Sequence, residues 1–156
     1  IPMMRMQKVT LFSVQPKRNS GNDPTCQLKL QGHLTGRTLK GRKLVDQFAS
    51  GQRYVVITDD DNPFEEVLHI YLLDLELNVL DELDLCQPYT PGVYQLHRHD
   101  DRQISFRFFD EGLWCLHVRQ EPRPSPLNYS RFPTRRPMKL WGQQYLDLSK
   151  AETSAA

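Results

Sequence analysis

The chain has 156 residues, 38% of them apolar and 25% charged, with a formal net charge of +1. That balance predicts one ordinary soluble domain able to bury its own core, and it excludes the disordered and membrane classes. No run of 18 apolar residues occurs, so a spanning helix is excluded too.

The near-neutral total hides a polarity along the chain. Residues 1–58 hold ten Lys/Arg against Asp23 and Asp46, whereas 59–85 hold ten Asp/Glu and no Lys or Arg; 86–156 hold ten basic and seven acidic residues. Such separation predicts surfaces that complement one another within the molecule, between copies, or against a charged partner. Cys26, Cys86 and Cys115 are odd in number and show no C-x-x-C spacing. Free thiols in a reducing cytoplasm are therefore expected, not a disulfide framework. The first twenty residues lack the apolar stretch and cleavage site of a secretory signal.

In chain order, 6–14 alternates with enough β-branched content to predict a strand. Turn chemistry fills 17–24, KRNSGNDP. Cys26, Leu28 and Leu30 then alternate with polar residues as a half-buried strand. The glycines of 36–43 have phosphate-loop spacing, but Arg42 and Lys43 stand where a Lys and a hydroxyl belong, so nucleotide binding is rejected there. Leu44, Val45 and Phe48 recur at helical spacing before Gly51, which predicts one short helix over 42–50. Residues 54–58, YVVIT, are too apolar for a surface strand and should be central.

Asp59, Asp60 and Asp61 open an acidic turn without EF-hand spacing. Asn62-Pro63-Phe64-Glu65 has the look of a helix start. Yet the polar residues of 64–86 scatter around a helical wheel, and two strands over 67–73 and 79–85 fit better than a helix.

Residues 93–99, 103–109 and 113–119 alternate in register and predict a three-strand meander. Pairing about the turns sets Phe106 opposite Leu116 and Ile104 opposite Val118 on a buried face that includes Trp114. The other face then gathers His97, His99 and His117, with His97, Ser105 and His117 in one row. Imidazoles so gathered are candidate ligands for zinc or iron. Cys115 shares that face but lacks the signs of an activated nucleophile.

Prolines crowd 120–137, which predicts an extended Pro/Arg-rich loop. Arg119 just before it and its Arg123, Arg131, Arg135 and Arg136 are candidate partner-binding residues, together with Asp59, Asp60 and Asp61. They could dock on the acidic surface of their own domain, on a second copy or on another protein; arginines among aromatics also suit single-stranded nucleic acid. Residues 138–148 recover apolar character and predict a last strand, or a pair broken at Gly142, and 149–156 should fray. The expected fold is an antiparallel β-sandwich or partly open barrel with one short helix, in a single domain over 1–148. The expected role is an interaction or accessory module that binds a protein, with a metal-dependent enzyme or sensor as the alternative.

Overall fold

The computed structural model describes residues 5–18, 23–109, 112–126, 133–137 and 141–151. Thirteen strands make up the regular structure of those residues: β1 (Met6–Lys8), β2 (Phe12–Pro16), β3 (Thr25–Leu30), β4 (His33–Lys40), β5 (Lys43–Ser50), β6 (Arg53–Asp59), β7 (Val67–Asp74), β8 (Val79–Cys86), β9 (Gln95–His99), β10 (Gln103–Arg107), β11 (Trp114–Pro126), β12 (Thr134–Arg135) and β13 (Trp141–Lys150). They form a six-stranded sheet in the order β1-β5-β6-β7-β8-β12, a four-stranded sheet β13-β11-β10-β9 and a three-stranded sheet β2-β3-β4. Neighbouring strands run antiparallel, and the sheets do not close into a barrel. Among the described residues no helix is long and apolar enough to cross a membrane.

The six-stranded sheet is the middle layer because alternate residues of its strands are apolar on both sides. Val55, Ile57, Leu68, Ile70 and Leu72 pack against Ile104, Phe106, Leu116 and Val118 of the four-stranded sheet. Val56, Tyr71 and Leu73 turn the other way, onto Phe12, Cys26, Leu28 and Leu39 of the small sheet. Hence 54–58 reads as an unbroken apolar run and is central. The same double burial makes β7 nearly continuous in apolar residues.

The helix expected over 42–50 is instead strand β5, paired with β1 on one side and β6 on the other. A bulge between Leu44 and Asp46 explains the misleading spacing. Val45 is the extra residue, so Leu44 points to the small-sheet core while Val45 and Phe48 point to the larger one. One inserted residue has made a strand imitate helical periodicity.

Other expectations need smaller corrections. The strand over 6–14 is two strands, β1 and β2, assigned to different sheets. The small sheet's edge strand, β4, was not foreseen. The Pro/Arg-rich segment is strand as far as Pro126, and Thr134–Arg135 adds to the edge of β8 through Thr134↔Leu85 and Arg135↔Asp84. Ser149 and Lys150 do not fray: they pair with Cys115 and Trp114. The hairpin reading of 64–86 holds as β7 and β8. Residues 19–22, 110–111 and 152–156, which carry parts of the expected turns and tail, lie outside the described residues.

Candidate binding cleft

The small sheet stops short of covering the central sheet. Its last strand ends at Lys40, whose carbonyl accepts a hydrogen bond from Thr58 Oγ1 (2.6 Å) and whose N–H donates to Tyr71 Oη (2.9 Å). The chain turns there through Gly41 at φ +100°; a Cβ at this position would meet Thr58 Oγ1 at 2.6 Å, so both the conformation and the close approach need glycine. Beyond that turn the same face of β7 and β8 carries His69 and Asp84 instead of apolar side chains. A cleft of about 820 Å³ opens over them. Its walls come from the β4–β5 turn (Lys40, Arg42), the β6–β7 loop (60–65) and the strap around β12 (Arg135, Arg136, Pro137).

His69 forms the floor. It is 4% exposed, and its Nδ1 and Nε2 lie 2.7 Å from Asp84 Oδ1 and Asp60 Oδ1. Two carboxylate acceptors require both ring nitrogens to donate, which makes the ring an imidazolium. Burial by itself would lower its pKa; the two carboxylates outweigh burial and push it up to about 9. Burial works against the Asp84 carboxylate as well, but its bond to His69 and the nearby Lys40 hold its pKa below the usual value. Lys40 Nζ (3.3 Å) and Arg135 (3.6 Å) complete the surroundings of Asp84.

The β6–β7 loop is built around another buried carboxylate. Glu66, 5% exposed, accepts the N–H groups of Asp60 (2.7 Å), Asn62 (2.9 Å) and Val67 (3.1 Å). Asn62 Oδ1 accepts from Phe64 (3.0 Å) and Glu65 (3.4 Å). This is the cap chemistry read from the sequence, used here to close a loop, not to start a helix. Asp59 is buried beneath the loop and accepts the Asp61 N–H (3.1 Å). The scaffold leaves Asp61 exposed and holds Phe64 81% exposed at the cleft mouth.

The candidate arginines divide. Arg135 and Arg136 do reach the acidic strand β8. Arg136 is buried against Asp81, pairs with it and donates to the Leu146 carbonyl, while Asp81 Oδ2 accepts the Tyr145 and Leu146 N–H groups at 2.9 Å. This buried pair joins β8 to the edge of β13. Arg119 and Arg123 lie elsewhere, beside Asp147 at 3.4 and 3.7 Å. Arg131 lies outside the described residues. The cleft thus brings together Asp60, Asp61, Arg135 and Arg136, with Asp59 just below.

The expected histidine row does not form. The β10–β11 pairing is displaced by two residues, to Phe106↔Trp114 and Ile104↔Leu116, which keeps the faces but moves the rows. A bulge then opposes Ser105 to Arg98 and Phe106 to Leu96, leaving His97 as the extra residue. Past it, His99 pairs with Ile104 and packs its ring against Phe48, 5.4 Å between centroids, while His117 pairs with Gln103. Among the described residues no group of three or more His, Cys, Asp or Glu is placed to hold a metal ion.

The His69–Asp84 pair escaped the sequence reading for a related reason. Closing the hairpin on Leu73↔Val79 puts His69 opposite Leu83, but a bulge past Leu72 advances the register and sets His69 opposite Asp84. A lone His in an apolar strand, near a string of acids, was the available signal. Compared with known protein families, with curated proteins and with solved structures, the chain finds no match.

Proposed function

We propose that this protein is a binding module that engages a protein partner through the charged cleft over His69. The observation that carries the reading is the composition of the cleft. Five carboxylates, four Lys/Arg and an imidazolium line about 820 Å³, and of the four cations Arg136 is already committed to Asp81. Catalysis by His69 would need a ring nitrogen free to take a proton. Both are engaged by carboxylates, and the described lining holds no Ser, Thr or Cys to act as a nucleophile. Fixed charges around an exposed aromatic favour recognition instead, since such arrangements select partners and steer encounter. A reducing cytoplasmic setting fits the three cysteines, all free.

The test is affinity purification of wild type beside Arg135→Glu, followed by reconstitution of any co-purifying protein from purified components. A partner bound by wild type, and weakened at least tenfold by the charge reversal, supports the reading. Partners bound equally by both forms place the interaction elsewhere and overturn it.

A further inference from the structure

We infer that the mouth of this cleft is the contact surface of a two-fold dimer, in which the β6–β7 loop of each copy seats in the cleft of the other. The inference rests on reading the cleft as a protein-binding site and names a second copy as its occupant. The β6–β7 loop lines it with Asp61 and Glu65 around Phe64; other elements line it with Arg42 and Arg135, alongside Asp23, Pro24 and Pro137.

A two-fold interface must be self-complementary: every group on one copy needs its match within the same patch on the other. This patch carries both an acid and a base left without an ion pair among the described residues, and an exposed aromatic beside prolines. Arg42 and Asp61 are both exposed and form no ion pair among the described residues. Phe64 stands 81% exposed on a loop tied down by Glu66 and Asn62, so little ordering would be lost when it docks. Facing copies would set Phe64 against the partner's prolines and Asp61 against the partner's Arg42, twice over.

Sedimentation equilibrium from micromolar to submillimolar protein tests this. Wild type should dimerise, more weakly as salt is raised, because the flanking charges are at the rim. Phe64→Ala should raise the dissociation constant about tenfold or more. Asp61→Lys and Arg42→Glu should each be monomeric alone, since each homodimer places like charges opposite one another twice. Mixed in equal amounts they should pair, because both contacts in the heterodimer are then between opposite charges.

A wild type that stays monomeric throughout, or two charge variants that fail to pair, overturns the inference. If monomeric wild type still binds another protein in a manner lost with Arg135→Glu, only the self-pairing has failed. If that binding is also indifferent to the cleft, the reading beneath it has failed as well.

Discussion

Two of the hairpin regions that carry histidines, β7–β8 and β9–β11, use them in opposite ways. In the β7–β8 hairpin one imidazole is buried between Asp60 and Asp84 and fixes a loop to the sheet. In the β9–β11 meander His97 and His99 are exposed and His117 half-buried, and bulge and register keep them from acting as a set. A histidine's sequence neighbours did not separate these cases. What separated them was the residue across the ladder and the depth of the face, both set by where the extra residues fall.

The largest expected effect breaks the first region. His69→Ala removes a buried cation from between two carboxylates and leaves Asp60 without its partner. Breaking a buried charge pair in this way costs about 3–5 kcal/mol. Urea denaturation should show a loss in that range. A loss under about 1 kcal/mol would mean that the carboxylates relax into solvent and that the floor of the cleft is not a clamp.

A smaller and reversible break comes from pH. The His69 pKa is raised in the folded protein, from 6.5 to about 9. Its stabilising contribution is therefore fully present below 6.5 and is lost as pH rises through about 9. The whole effect is on the order of 3 kcal/mol. Burial also pushes the Cys26 thiol up to about 11, which erodes stability over the alkaline range by favouring ionisation in the unfolded chain. The informative quantity is the difference between wild type and His69→Gln. Wild type should lose more stability than the variant between pH 6.5 and 9, and parallel curves would remove the imidazolium from the account.

The fold class was legible in the sequence because a strand with one wet face alternates, as in 103–107, and one with two dry faces reads as a short apolar run, as in 54–58. The buried set Ile104, Phe106, Trp114, Leu116 and Val118 followed directly. Four departures have local causes. A bulge at Val45 imitates a helix; another, at His97, scatters the imidazoles; a third, past Leu72, aligns His69 with Asp84; and the turn before β11 displaces that strand by two residues. Bulges leave the hydrophobic pattern largely untouched while changing which residues meet, so the pattern predicted the fold class and missed the site. Charge separation made a meeting of the Arg-rich segment with the acidic stretch legible, but not whether it would lie within the chain or between chains; Arg135 and Arg136 pair with Asp84 and Asp81 of the same molecule.

The smallest effect sharpens the comparison from the other side. His97 is the unpaired residue of a bulge on an edge strand, exposed and opposite neither His99 nor His117. Replacing it with Ala should change stability by no more than about 0.5 kcal/mol, the ordinary range for a surface site. The same variant tests the chemistry of the meander. If its imidazoles act separately, adding zinc should raise the unfolding temperature of wild type and of His97→Ala by the same small amount. A zinc-dependent rise in wild type that disappears in the variant would show that the meander rearranges to gather its histidines, since a ligand held by the folded state alone stabilises it in proportion to its affinity. Equal curves, set beside the loss at His69, would show that one imidazole is structural because two carboxylates meet it, while those of the meander act singly.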